Sequence, residues 1–330
     1  MSGLEDHLKI RIRTEGPLSF RDYMEEVLYH PTFGYYTSQS SRIGTEGDFY
    51  TSSDLDPIFG KLLSRYFEEL ADGFEKFTIV ELGAGKGLLA RDILTHSQFP
   101  YLILERSPAM RERQQSLLSD FSVDWISELP DGLTGCIFSN EFFDALPVRR
   151  FVGRQGSIKE IFVNENLQEI ECDSDVQLNH SLKEGQVADI NFEARTWIRR
   201  IAQAVQSGYH LAIDYGYLRD EFYAQPRGTL MCYWRHQVHE DPYIHIGEQD
   251  LTAHVNFSDL IDEGKPYGLD DIRFLSQKDF LIELGILDEM QQLAYAGDAQ
   301  SMQKLLRMKN LIVPDRMGER FKVLLQRKVR

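Results

Sequence analysis

Long apolar runs are missing from this chain. No stretch approaches the roughly 18–20 residues that a helix needs to cross a bilayer, which argues against membrane insertion. Cysteine is scarce. Cys136, Cys172 and Cys232 are isolated, odd in number and form no CxxC pair. That excludes a disulfide framework or a zinc ribbon and suits a reducing compartment. A basic surplus is lacking too: 36 Lys and Arg face 52 Asp and Glu, a net charge of −16. This balance disfavours nonspecific nucleic-acid binding and suits a basic partner. The opening MSGLEDHLKIRIRTEGP has no apolar h-region, so it does not read as a secretory signal; Glu5 and Asp6 argue against a mitochondrial presequence. Repeats, low-complexity tracts and long linkers are also absent from the sequence.

What is present is the pattern of a protein with a sizeable core. The 330 residues suffice for one large domain with insertions, or for two domains. Residues 18–30 have helical apolar spacing, PTFGYYTS after them reads as a turn then a strand, and 55–71 read as a helix. The period then alternates. FTIVEL (77–82) is a strand and KGLLARDIL a helix; YLILE (101–105) is a strand, and PAMRERQQSLLSD a helix opened by Pro108. VDWI (123–126) and GCIFSN (135–140) are further strands. Such alternation indicates a parallel sheet covered on both faces. It then breaks into an antiparallel excursion over 148–172, returns to helix over 193–205, and to a buried strand over 209–216. TLMCYW (229–234) reads as a strand, 276–285 and 298–310 as helices, and ERFKVLLQRK (319–328) as an edge-like final strand. The corresponding division is a helical cap and cofactor-covering segment (1–75), a first core part (76–147), an antiparallel insertion (148–192) and the remainder of the core with a substrate-side insertion and carboxyl-terminal helices and strand (193–330).

The loop in VELGAGKG (80–87) sets the chemistry. A Walker loop requires GxxxxGK followed by Ser or Thr, but Lys86 precedes Gly87 and no glycine stands at the earlier position. A dinucleotide fingerprint is GxGxxG, whereas Gly83, Gly85 and Gly87 give GxGxG. Glu81 ahead of them would repel a pyrophosphate and attract the ammonium of an amino-acid moiety. The pattern resembles motif I of class I S-adenosylmethionine (SAM) methyltransferases, where a Cβ on the loop would collide with the methionine part of the cofactor. Glu105 closes the second strand 22 positions after Gly83, where a carboxylate can accept both ribose hydroxyls. Trp125 ends the third strand, where an adenine would lie; a core role suits it equally.

SNEFFDALP (139–147) follows the fourth strand and offers Asn140, Glu141 and Asp144 beside two phenylalanines. Carboxylates in an apolar setting call for a cation, and a guanidinium pairs with them through a rigid fork of donors. Transfer of a methyl group from a sulfonium to nitrogen needs proximity, orientation and such carboxylates. A helix cap is the competing role for Glu141 or Asp144. His254 in TAHVNF is a candidate to shape a substrate cleft, or a satisfied core histidine. His236, His239 and His245, with Glu240 and Asp241, have metal-like spacing on a polar, loop-like segment; no metal is expected.

GDFYTSSDLDPIFG, VELGAGKG, SNEFFDALPVRRF, IDYGY, LTAHVNFSDL and MGERFKVL together resemble the MidA family of SAM-dependent methyltransferases, in family order over residues 18–326. The resemblance implies an α/β class I methyltransferase fold, a Rossmann-like doubly wound sheet with an amino-terminal cap and a large insertion. It implies a protein arginine methyltransferase that uses SAM: Gly83, Gly85 and Glu105 would hold the cofactor, and Asn140 and Glu141 would lie at the methyl-transfer centre. Asp48, Phe49 and Thr51 of GDFYTS would close over it. The partner implied is a protein carrying the arginine, with no nucleic acid and no membrane insertion, and with room for a homodimer. The location implied is the cytoplasm of a bacterium or the mitochondrial matrix of a eukaryote. Methylation of a small molecule, and a chaperone that keeps the fold as a scaffold, are the competing functions.

Overall fold

The computed structural model describes residues 3–37 and 56–329. They fall into two compact units, each threaded by several passes of the chain. One takes in the described parts of 1–49, 143–196 and 217–259; the other takes in those of 50–142, 197–216 and 260–330.

The second unit carries the main sheet. Its strands run in the spatial order Asp271–Ser276, Phe321–Lys328, Val205–Tyr217, Leu133–Asn140, Thr78–Leu82, Tyr101–Leu104, Val123–Ile126. The last five in that order pair in parallel, and Phe321–Lys328 pairs antiparallel with both its neighbours. Buried Ile79, Val80, Leu82, Ile103, Ile137 and Phe138 make these strands apolar on both faces, as helix-covered parallel strands must be. The chain starts in the middle at Thr78–Leu82, moves outward through two strands, then crosses to Leu133–Asn140 on the other side. The point where strand order reverses therefore lies between Thr78–Leu82 and Leu133–Asn140. Ligands of doubly wound sheets bind beyond the carboxyl ends of strands at such a point.

Local chemistry fixes the helices that follow. Pro108 opens the helix Pro108–Leu117, and the Ser107 hydroxyl accepts from the Met110 N–H at 3.3 Å. The helix Leu88–Leu94 has left-handed Gly87 as its amino-terminal cap.

The first unit packs the helices Gly3–Glu15 and Phe20–Tyr29 into a core with Val148, Val163, Leu230, Cys232 and Leu251. Its antiparallel sheet joins Leu18–Ser19, Ser157–Val163, Arg149–Arg154 and Val187–Ile190, with Glu169–Asp173 alongside Ser157–Val163. Arg150 is buried there between Asp189 (2.9 Å) and Glu169 (2.8 Å), so its charge is matched where solvent cannot match it.

Several sequence expectations are corrected. The last strand is not at an edge but lies inside the main sheet between two partners. Residues 31–37 form turns without a strand. The strand expected over 229–234 is present as Leu230–Trp234, in a separate three-stranded sheet with Gln237–His239 and Asp250–Ala253. Gly3–Glu15 is a helix of the amino-terminal cap, and Ile286–Ala296 is a further helix between the two expected near the carboxyl end. Among the described residues no helix is long and apolar enough to cross a membrane.

Candidate active site

Gly83, Gly85 and Gly87 leave the strand Thr78–Leu82 with φ of 64°, 51° and 81°, all in the left-handed region. Two of them show why a side chain is excluded. A Cβ on Gly83 would lie 2.9 Å from the Phe142 ring, whereas one on Gly85 would meet nothing within 4 Å among the described residues. The first absence lets Phe142 pack on the loop; the second leaves the described residues clear of the backbone, where a ligand can approach.

Glu105 stands one residue past the strand Tyr101–Leu104. Its Oε1 accepts from the Ser107 N–H at 2.8 Å and its Oε2 from Gln114 Nε2 at 3.1 Å. Burial pushes its carboxyl above the usual carboxylate range, with these hydrogen bonds opposing the rise. Trp125 is half-buried in the strand Val123–Ile126 and gives its indole N–H to Gln114 Oε1 at 3.0 Å.

Asn140 ends the strand Leu133–Asn140, and its Nδ2 donates to Glu141 Oε1 at 3.0 Å. Its Oδ1 is buried with no hydrogen-bond partner among the described residues. Glu141 has a φ of 55°, a conformation a glutamate adopts only when its surroundings impose it. The Ile213 carbonyl accepts from the Glu141 N–H at 2.9 Å, and Asp214 Oδ2 accepts from the Phe142 N–H at 3.2 Å. Phe142 then meets Trp197 edge-on at 5.2 Å. The turn is thus held by the neighbouring strand on one side and an aromatic contact on the other.

Glu81 lies within its strand, 2% exposed, and accepts from the Tyr101 hydroxyl at 2.7 Å. Burial raises its pKa to about 8, with the Tyr101 hydrogen bond opposing and the Glu105 charge adding to the rise. The unfolded chain gives up this proton near 4.5, whereas the folded protein holds it to about 8, so stability should fall as pH rises across that window and level off above it. Glu81→Gln should flatten that slope, as thermal unfolding at a series of pH values would show. If the ammonium of SAM approaches Glu81, binding near pH 7 should release up to about one proton, because a nearby cation lowers a carboxyl pKa. Calorimetry in buffers of different ionisation enthalpy measures that proton; equal release by wild type and Glu81→Gln would contradict the assignment.

Asp144 and His254 belong to the first unit, where the backbone carbonyl of the buried Asp144 accepts from the Ala253 N–H at 3.0 Å. The His254 ring lies 5.2 Å from Tyr217, and both line a cavity of about 540 Å³ with Arg150, Thr229 and Asp241. Asp48, Phe49 and Thr51 lie outside the described residues. His236, His239 and His245 do not bring ligand atoms together; the His245 ring instead stacks on Trp234 at 3.7 Å. Among the described residues the group with metal-like spacing is His7, Glu26 and His30. There Arg11 already pairs with Glu26 at 2.7 Å, and His30 Nδ1 accepts from the Thr32 and Phe33 N–H groups.

Three residues of the site escaped the sequence reading: Tyr101, Gln114 and Asp214. Gln114 left a signal, since it falls one helical turn after the buried Met110 on the inward face of its helix. Asp214 stands in the quoted IDYG, but its hold on Phe142 spans 72 residues and has no local signature.

An open glycine turn, a carboxylate at the next strand end and an orphaned amide oxygen at the strand across the switch point fit a ligand with an ammonium and a ribose. With the strand order, they define a class I SAM-dependent methyltransferase. Residues 59–274 match a family of S-adenosyl-L-methionine-dependent methyltransferases. A COG1565 superfamily member from Burkholderia thailandensis, solved with S-adenosyl-homocysteine bound, is 29% identical with a TM-score of 0.90, over 98% of this chain and 92% of that one. The mitochondrial protein arginine methyltransferase NDUFAF7 of Rattus norvegicus is 30% identical over 96% of this chain and 82% of its own length. That of Bos taurus is 31% identical with the same coverage. The chain belongs to the MidA family of SAM-dependent methyltransferases.

Proposed function

We propose that this methyltransferase transfers the methyl group of SAM to an arginine guanidinium of a partner protein. The observation that carries the reading is the constrained Glu141, held in a left-handed conformation and bonded to Asn140 beside the glycine turn. Its support outside the structure is the name of relatives about 30% identical over nearly the whole chain, protein arginine methyltransferase.

The cofactor supplies an electrophilic methyl carbon on a sulfonium sulfur. The protein's part is to bring a guanidinium nitrogen into line with it and to draw the nitrogen's proton away. A carboxylate at Glu141 does both: it accepts guanidinium N–H bonds with charge assistance and localises a lone pair on the attacking nitrogen. Asn140 fixes the direction of that carboxylate. When the nitrogen takes up that methyl group in exchange for its proton, the proton would leave through Glu141. The net charge of −16 favours encounter with a basic protein segment.

Mass spectrometry of cell proteins with and without this protein tests the reading. An arginine whose methyl mass gain depends on the protein, and is lost when that arginine is replaced by lysine, is expected. Dependence confined to a small molecule, or equal methylation of the lysine variant, would overturn it.

A further inference from the structure

Gln114 is fully buried, with an exposure of 0%, and every hydrogen-bonding atom of its amide is used. Nε2 donates to the Gly85 carbonyl at 2.8 Å and to Glu105 Oε2 at 3.1 Å. Oε1 accepts from Trp125 Nε1 at 3.0 Å. A Cβ on Gly87 would come within 3.3 Å of its Cγ, so the third glycine of the loop makes room for it. The amide cannot turn over without placing its oxygen against a carbonyl and a carboxylate, so its orientation is fixed by its partners.

We infer that Gln114 is a positioning residue for the cofactor: one side chain sets together the glycine turn, the carboxylate at the ribose position and the indole at the adenine position. This rests on the reading that Glu105 holds the ribose hydroxyls. A glutamine suits the task because one amide supplies two donors and an acceptor, whereas a glutamate offers acceptors alone when ionised and a methionine of similar length offers neither. Gln114 touches none of the positions assigned to the cofactor's reacting atoms, so it acts through Glu105, Gly85 and Trp125. Its loss should weaken the cofactor without slowing the chemical step.

The probe is S-adenosyl-homocysteine, with an analogue lacking the ribose 3′-hydroxyl, titrated calorimetrically into wild type, Gln114→Met, Gln114→Glu and Glu105→Ala. Glu105→Ala should weaken binding about 10- to 100-fold, as expected for hydrogen bonds to a charged group. Gln114→Met should weaken it about 10-fold or more, and Gln114→Glu at least as much. The deciding readout is coupling. In wild type the deoxy analogue should bind more weakly than the parent; in Gln114→Met that penalty should shrink, because Glu105 is no longer held in place. The KM for SAM should rise while kcat at saturating SAM stays within about twofold.

Should Gln114→Met fail to fold, Trp125→Phe removes one of the three bonds alone and should still weaken both ligands. Native affinity in folded Gln114→Met, or an undiminished deoxy penalty despite weakened binding, would overturn the inference. If either occurs while Glu105→Ala weakens binding, the ribose assignment stands and only the role of Gln114 falls. If Glu105→Ala binds like wild type, the ribose assignment and the inference fall together.

Discussion

Replacing Gly85 with valine is expected to abolish SAM binding while leaving the protein folded. Among the described residues nothing lies within 4 Å of a Cβ built at Gly85, so the branched side chain would project into the space proposed for the cofactor. The backbone φ of 51° adds strain of about 1–2 kcal/mol for any residue with a Cβ, a modest part of the roughly 5–15 kcal/mol that holds a domain together. Gly85→Ala carries the same strain with less bulk, so it separates the two effects: its stability should resemble that of the valine variant, with affinity between valine and wild type. Gly83→Val should behave differently. Its Cβ would meet the Phe142 ring at 2.9 Å, and the side chain would disturb the turn that holds Glu141. Calorimetric titration of SAM decides. Unchanged affinity in a folded Gly85→Val variant would remove the glycine turn from the cofactor site.

Glu141→Gln should separate binding from turnover. The substitution keeps shape, one acceptor and the left-handed backbone, and removes the charge that, in the proposed reaction, orients the guanidinium and receives its proton. SAM affinity should survive, because the glycine turn, Glu105 and Gln114 are untouched. Methyl transfer should fall by about two orders of magnitude or more, equivalent to about 3 kcal/mol or more of lost transition-state stabilisation. Single-turnover rates with enzyme in excess over substrate isolate that step from product release. Near-normal rates in the variant would place the proton acceptor elsewhere.

Much of this site is written locally in the chain. The glycine spacing after an apolar strand gives the turn, and the carboxylate 22 residues on falls at the next strand end because strand, helix and strand have nearly fixed lengths. The parallel core is legible for the same reason: its strands are mostly apolar, and Gly87 and Pro108 mark where the helices Leu88–Leu94 and Pro108–Leu117 begin. What is not legible depends on distant partners. Gly83 must lack a side chain because of Phe142, and Phe142 is held by Asp214, far along the chain. The final strand misleads in a similar way. Gln326 gives it a polar, edge-like look, yet that glutamine is fully buried against His210 at 3.0 Å, and burial pushes the His210 pKa down to about 4. A buried polar pair bonded to one another across two strands cannot be told from a solvated edge by either strand alone. The segments that form the first unit were read piecewise for a related reason: its three chain passes make one core only in three dimensions.

The most direct measurement follows a labelled methyl group to its destination. Wild type and Glu141→Gln, each saturated with methyl-labelled SAM, are incubated with proteins from cells lacking this enzyme, and the labelled amino acid is identified after hydrolysis. Label in methylarginine with wild type, reduced about a hundredfold or more with Glu141→Gln, is the expected result. Label in a different residue or in a small molecule, or equal labelling by the two enzymes, would contradict it.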